Sequence, residues 1–340
     1  MIIVIKYRIA IDAMGGDNAP GCVIEGVRQA LAEFPDTELI LCGKEDLLKD
    51  INSDRVRIVP ASEVIAMEEA PMLAVRRKTD SSLVKAMLEV REGRAQAVVS
   101  AGSTGAVLAG GMFRIGRIRG VDRPALATIL PGIKGPVMIL DVGANVDCQP
   151  KYLNEFAVMG AAYMKGVMGM ENPKVGLANI GAEEEKGNRL AKEAYQLMKN
   201  QDIYPFAGNI EARDITGGEC PVVVFDGFDG NLILKYTEGF SHDLMSMLKE
   251  TFTSNLMSKI GAALLLPALK KFKKKLDYRE YGGAPLLGVD GAVIKAHGSS
   301  DAKAICSAIR QARSILENDV VGKIREGVSA LNVEESKEEA

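Results

Sequence analysis

The chain has no tryptophan, only two histidines, and five cysteines of which none forms a C-x-x-C pair. Aromatic residues make up 5% of it. So few rings remove the platforms on which nucleic-acid bases stack. A formal net charge of -3 gives no general attraction for a polyanion, so no nucleic acid is expected as a partner. His242 and His297 alone cannot build a histidine-rich metal site, and no metal is expected. Cys22, Cys42, Cys148, Cys220 and Cys306 are too widely spaced for a zinc knuckle or a dithiol redox pair. Free thiols in a reducing cytoplasm are the simplest expectation.

Several signature loops are missing as well. No G-x-G-x-x-G follows a strand, since Gly105 and Gly110-Gly111 have the wrong spacing. There is no G-x-x-x-x-G-K-[ST], which disfavours ATP hydrolysis. Gly102-Ser103-Thr104-Gly105 is not a G-x-S-x-G elbow. A Cys–His nucleophile pair would need His297, yet Cys148 is the one cysteine in a candidate loop, which points away from covalent catalysis. The most apolar late run, Ile260–Leu269, is about half the length needed to cross a bilayer. The N-terminal Met-Ile-Ile-Val-Ile-Lys-Tyr-Arg has no cleavage site behind it and reads as the approach to a strand, not as a signal peptide.

What is present is one theme repeated along 340 residues, 47% of them hydrophobic and 26% charged. A short apolar run ends in a polar, Gly-containing loop, and a helical stretch follows. Arg8–Ile11 leads into Asp12–Asn18, and Ala97–Ser100 into Ala101–Gly105. Val137–Leu140 leads into Asp141–Asn145, Val175–Ala178 into Asn179–Gly181, and Val222–Phe225 into Asp226–Asn231. Helices are expected near Ala19–Phe34, Ser82–Glu92, Thr104–Ile118, Lys151–Met170, Glu183–Lys199, Leu232–Phe252 and Asp301–Asn318. Such alternation predicts a three-layer α/β/α fold around a mostly parallel sheet. In open parallel sheets ligands bind beyond the carboxyl ends of the strands. Glycines there let the backbone approach a ligand, and helix starts offer N–H groups to an anion. Five such loops make a phosphate or acyl-phosphate site the leading expectation. No domain boundary is visible. We expect one domain over residues 1–333, with a helical insertion at about 232–278 and a charged tail at 334–340.

These loops also carry a resemblance. Asp12-Ala13-Met14-Gly15-Gly16-Asp17-Asn18-Ala19-Pro20 looks like the N-terminal signature of the bacterial phosphate acyltransferases (PlsX-type), which transfer acyl groups from acyl carrier protein to phosphate in phospholipid synthesis. The likeness continues through Ala74–Lys78, Ser100–Ala106, Asp141–Asp147, Asn179–Gly181, Lys186–Asn188, Gly208–Asp214, Asp226–Phe228, Tyr281–Ala284 and Ile294–Asp301. It spans roughly residues 8–330. Residues 1–7 precede the family pattern and look like an extension or a start-site choice. The resemblance implies a fold like isopropylmalate dehydrogenase and phosphotransacetylase, a homodimer, and no nucleotide cofactor. It implies that acyl phosphate is made for a glycerol-3-phosphate acyltransferase downstream, on the cytoplasmic face of the cell membrane.

The residue chemistry suits that reaction. Phosphate is already a charged nucleophile and a thiol leaves readily, so holding phosphate against the thioester and stabilising the oxyanion is enough. Phosphate is expected near Ser103, Thr104 and Gly105, with Arg76, Arg77 or Lys78 supplying charge and Asn145, Asn179 and Gly181 adding contacts. His297 is the main candidate for a proton donor or oxyanion ligand, with Lys186 and Asn231 behind it. The competing readings are structural: His297 as a loop hydrogen-bonder, Arg76–Lys78 as a solvated helix approach, and Asp12, Asp17, Asp141 and Asp226 as helix caps. His242 is expected as a plain helix residue.

Two surfaces stand out. Leu256, Ile260, Leu264, Leu265, Leu269, Phe272 and Leu276 recur at helical spacing, with Pro267 among them and Lys270, Lys271, Lys273, Lys274 and Lys275 close by. A hairpin kinked at Pro267 would set Leu264, Leu265, Leu266 and Leu269 in a membrane and Lys270 and Lys271 on anionic headgroups, each lysine adding about 1 kcal/mol. The alternative is a dimer helix. Arg114, Arg117, Arg119 and Arg123 form a second basic set, expected to dock acidic acyl carrier protein. Rival functions are a metal- and NAD-dependent decarboxylating dehydrogenase, for which neither a metal-ligand cluster nor a nucleotide loop can be assembled, a short-chain phosphotransacetylase using coenzyme A, and a membrane scaffold for lipid-synthesis enzymes.

Overall fold

The computed structural model describes residues 4–51, 53–276 and 282–338, with the side chains of 270–271, 273–276 and 334–338 left aside. Tyr281 of the quoted motifs, and the lysine side chains expected at a membrane, therefore lie outside the described residues.

Among the described residues, eleven strands form one sheet in the order β3-β2-β1-β4-β11-β10-β5-β6-β9-β7-β8. Its first half holds β1 (Tyr7–Asp12), β2 (Thr37–Gly43), β3 (Val56–Pro60) and β4 (Ala97–Ser100), joined by β11 (Ala292–Lys295), all parallel. The second half holds β6 (Pro136–Leu140), β7 (Val175–Asn179), β8 (Phe206–Glu211) and β9 (Val222–Val224), again parallel. Two antiparallel strands, β5 (Ala125–Pro131) and β10 (Ala284–Leu287), stitch the halves together.

Near-continuous apolar runs make these strands, because both sheet faces are buried. Alternate residues divide between two cores: Ile9, Ile11, Leu39, Leu41, Met138 and Leu140 face one way. Ala10, Ile40, Val137 and Ile139 face the other. The first face is covered by α1 (Gly21–Glu33), α6 (Pro150–Val167), α7 (Arg189–Lys199), α10 (Ala302–Glu317) and α11 (Val320–Glu338). The second takes α3 (Pro71–Arg77), α4 (Ser82–Arg91) and α5 (Thr104–Gly110), while α2 (Glu45–Leu48) is a single turn after β2. This is the expected three-layer α/β/α architecture with a mostly parallel sheet.

Some boundaries moved, for local reasons. The helix expected to reach Ile118 stops at Gly110, continues as a π turn over Gly111–Ile115, and ends at Gly116, whose φ of +107 suits glycine. The helix expected from Glu183 begins at Arg189, because Gly187 has φ +95 and Asn188 caps the helix by accepting the Ala191 N–H at 2.8 Å. The segment expected as a charged tail is helical to Glu338, in keeping with its run of helix-favouring Glu and Lys. Two successive helices, α8 (Gly227–Thr253) and α9 (Leu256–Leu276), form the expected hairpin, with α8 starting earlier, at the Asp226 cap. Its turn lies at Ser254–Asn255, and α9 runs through Pro267, so the expected kinked tip at Ala262–Leu266 is instead the middle of a helix.

Candidate functional site

Because β11 inserts beside β4, with Lys295 level with Ser100, the loops after β1, β4 and β11 meet. The Asp17 N–H donates to the Gly298 carbonyl at 2.8 Å and the Ala296 N–H to the Ser100 carbonyl at 2.8 Å. Gly15 has no room for a side chain, since a Cβ there would fall 2.8 Å from the Gly102 nitrogen. Beneath them Asp12 is buried and accepts the Ser100 hydroxyl at 2.7 Å; burial raises its carboxyl above the ordinary range against those hydrogen bonds. Asp12 therefore braces the loops.

The second half contributes the start of α8. Asp226 caps that helix by accepting the Asp229 N–H at 2.8 Å. Asp141 accepts N–H groups from Leu126 at 3.0 Å, Ala144 at 3.0 Å and Asn145 at 2.6 Å, and burial pushes its carboxyl up to about 6. Both carboxylates fasten loops.

Between the halves lies a pocket of about 160 Å³. Thr104, Asn231, Lys295 and His297 reach it, over apolar walls that include Leu126, Val142 and Leu234. Ser103 and Gly105 flank Thr104 at the start of α5. His297 Nδ1 lies 2.8 Å from the Ser299 hydroxyl and accepts the Ser299 N–H at 3.2 Å. An accepting Nδ1 puts the proton of the neutral ring on Nε2, leaving that N–H as a donor. Cys148 is outside the lining, and burial pushes its thiol up to about 12, which makes it a poor nucleophile.

The other sequence candidates are placed elsewhere. Lys78 is held by Glu69 at 2.6 Å and the Val64 carbonyl at 2.8 Å, while Arg76 and Arg77 are exposed at the far end of α3, whose near end packs Pro71 on Gly105. The structure does not bring these three cations to the pocket. Asn145 clamps its own loop through Asp141 at 2.9 Å and the Pro124 carbonyl at 2.8 Å. Asn179 donates to the Lys186 carbonyl at 3.1 Å, so Asn179, Gly181 and Lys186 share one loop. Asn179 lines a second, more apolar cavity of about 400 Å³ with Leu153, Leu177, Phe225 and Ile233. The first turns of α8 separate the two spaces, with Asn231, Leu234, Lys235 and Glu238 on one face and Asp229, Leu232 and Ile233 on the other.

Lys295, Lys235 and Glu238 were not among the sequence candidates. For Lys295 a signal was visible: a lone charge ending the apolar run Ala292-Val293-Ile294, two residues before His297.

Arg114 donates to the Val75 carbonyl at 2.7 Å, which places it beside Arg76. Arg117 donates to the Asp122 carbonyl, Arg119 is exposed, and the Arg123 guanidinium lies 5.9 Å from the Tyr152 ring centre. These contacts leave the positive charge in place. Glu155, buried under this loop, accepts the Asp122 N–H at 2.9 Å, and burial pushes its carboxyl up to about 7.

Against known proteins, the family described as "Fatty acid synthesis protein" matches residues 7–323. A phosphate acyltransferase of Clostridium perfringens (strain SM101 / Type A) is 52% identical over 336 residues, covering 97% of this chain and 99% of the relative. A phosphate acyltransferase of Clostridium botulinum (strain ATCC 19397 / Type A) is 52% identical over 329 residues, covering 95% and 98%. Among solved structures, EutD phosphotransacetylase from Staphylococcus aureus matches with TM-score 0.57 and 15% identity, covering 91% of this chain and 94% of that one. A branched-chain phosphotransacylase from Enterococcus faecalis V583 matches with TM-score 0.57 and 15% identity, covering 92% and 100%. At such identities the two structures speak for the fold alone.

Proposed function

We propose, from the premise that this chain belongs to the fatty acid synthesis protein family and is an acyltransferase, that it moves an acyl group from the thioester of acyl carrier protein to inorganic phosphate. The observation that carries this reading is the pocket itself: Thr104, Asn231, Lys295 and His297 supply donors and positive charge, and no cysteine is among the residues that line it. A phosphate oxygen attacks the thioester carbon, and the oxyanion collapses with loss of the carrier's thiolate, which takes a proton from water. One C–O bond forms and one C–S bond breaks, so the reaction balances with no cofactor. Phosphate is assigned to the Ser103–Gly105 loop, the oxyanion to His297 Nε2–H, and positioning of the carbonyl to Asn231. The product is a mixed anhydride, suited to acylating glycerol 3-phosphate for phospholipid.

The test is acyl-phosphate formation from palmitoyl-acyl carrier protein and phosphate, trapped with hydroxylamine, without metal or nucleotide. Hydroxamate formation is expected. Turnover confined to short acyl-coenzyme A would overturn the donor assignment in favour of a phosphotransacetylase, and no turnover with either donor would favour a scaffold.

The carrier is assigned to the Arg114, Arg117 and Arg119 face. None of these arginines has a carboxylate ion-pair partner among the described residues, so an acidic partner meets their full charge. Charge reversal, Arg117→Glu with Arg119→Glu, is expected to raise the carrier-protein KM about tenfold or more while kcat changes little. An unchanged KM would move docking elsewhere.

The hairpin is assigned to a membrane surface along the exposed apolar residues of α9 and to a second copy of the chain along α8, giving a peripherally bound homodimer on the cytoplasmic face. No helix among the described residues is long and apolar enough to cross a membrane. Yet Leu256, Met257 and Leu264 are 76%, 78% and 80% exposed, with Ile260, Leu265 and Leu266 also open. A cluster of this kind on a free-standing helix pair marks an interaction surface. Leu264→Glu and Leu265→Glu are each expected to abolish co-sedimentation with anionic vesicles while leaving soluble turnover intact. Unchanged sedimentation would end the lipid assignment.

A further inference from the structure

Strand β11 reads Ala-Val-Ile-Lys, and all four residues are buried. Lys295 is only 7% exposed. An ammonium group has three N–H donors, yet the contact made by Lys295 Nζ is with the carbonyl of its neighbour Ala296. No carboxylate forms an ion pair with it among the described residues. Asp12 on β1 and Asp17 in the following loop attract it from a distance, Lys235 on α8 repels it, and burial outweighs them, pulling its pKa down to about 8.

A buried charge without a close counter-ion costs stability, and an apolar residue of similar shape serves a strand better. The position of Lys295 gives the reason for retaining it. The residue lines the pocket with Thr104, Asn231 and His297. The other lysine in that lining, Lys235, is paired with Glu238 at 2.9 Å. Lys295 is thus a cation with donors to offer, facing a small space whose other polar groups are two hydroxyls, an amide, an imidazole N–H and the mutually paired Lys235 and Glu238. The missing partner is an anion compact enough for that space and rich in acceptor oxygens.

We propose that Lys295 is the phosphate-holding cation of this pocket, its ammonium donating to oxygens of bound inorganic phosphate. The assignment deepens the acyl-transfer reading and rests on it for the identity of the anion. The thioester partner then meets His297 and Asn231, so Lys295 governs phosphate and not the acyl donor.

The first experiment uses Lys295→Met, close in shape and uncharged, with inorganic phosphate as the probe. Thermal unfolding is expected at or above the wild-type temperature, because a buried charge has been removed. The Kd for phosphate by calorimetry and the KM for phosphate should both weaken by on the order of 100-fold, with the acyl-donor KM within about threefold. Phosphate Kd and KM within about threefold of wild type would overturn the proposal, as would loss confined to the acyl donor.

A second measurement needs no variant. Wild-type protein is treated with an amine-directed reagent in phosphate or in chloride of equal ionic strength, and the modification of Lys295 is read by mass spectrometry. Phosphate is expected to protect Lys295, and equal labelling in the two salts would refute the assignment. Should wild-type protein make no acyl phosphate while phosphate still binds and protects Lys295, the reaction assignment falls and the anion site stands.

Discussion

His297→Ala is expected to lower kcat for acyl-phosphate formation by about 10²- to 10³-fold, the usual cost of removing one donor from an oxyanion site. The expectation follows from the tautomer. Because Nδ1 accepts from the Ser299 N–H, the neutral ring presents Nε2–H as its free donor. The backbone around it is held independently of the ring. The Ser300 N–H donates to the His297 carbonyl at 3.0 Å, and the Asp17 N–H reaches Gly298. The side chain itself is exposed, so truncation should change stability by no more than about 0.5 kcal/mol. A donor acting on charge that develops only during reaction lowers kcat and leaves KM largely alone. His297→Gln, whose amide also carries N–H groups, should recover part of the loss. A role confined to bracing Ser299 predicts a lower unfolding temperature, no rescue by glutamine and near-normal kcat. Folded His297→Ala with kcat within about threefold of wild type would therefore remove the residue from the chemistry.

That His297 and Thr104 share a pocket was only half legible in the sequence. The loop after β4 announced itself through an apolar run ending in Ala-Gly-Ser-Thr-Gly, and β1, β6, β7 and β9 were visible in the same way. Periodicity likewise placed α1, α4, α6 and α10 to within a few residues. Hydrophobic pattern reports which residues are buried, but not which strand lies beside which. His297 shares a pocket with Thr104 because β11 pairs with β4 across almost two hundred residues of sequence, and no local pattern encodes that register. The two strands that complete the join, β10 and β5, are antiparallel, and neither is followed by the loop-and-helix theme that made the others readable. The same limit explains Lys186 and Asn179. Their loop resembles the others in composition, yet β7 lies beyond β9 in the sheet, which puts the loop over the second cavity and behind α8. Lys295 was missed for another reason. A single lysine closing an apolar strand reads as its solvent-facing end, until the neighbouring strands bury it.

The larger structural effect is expected at Gly230, one residue before Asn231. In an isolated helix, alanine would be favoured there over glycine by about 1 kcal/mol. Here a Cβ at position 230 would fall 1.9 Å from the Asp141 carbonyl oxygen and 3.3 Å from the Phe225 Cβ. Neither neighbour can yield cheaply. Asp141 anchors the loop below through three N–H groups, and the Phe225 N–H is bonded to the Leu140 carbonyl at 2.8 Å. The first turn of α8 must then lift off the sheet, although the Gly227 N–H ties it to the Asn145 carbonyl at 2.7 Å. Lifting it moves Asn231, Leu234, Lys235 and Glu238 together, which is one wall of the pocket. Gly230→Ala is therefore expected to cost about 2–3 kcal/mol in denaturant unfolding despite its better helix propensity. It should also reduce kcat/KM by well over tenfold, since small misplacements of binding groups are expensive in rate. Gly21→Ala is the control: it opens α1, and a Cβ there would meet nothing within 4 Å, so stability should hold or rise slightly. If Gly230→Ala behaves like Gly21→Ala in both stability and turnover, α8 does not rest on the Asp141 loop as described. The assignment of Asn231 to the pocket would then fall with it.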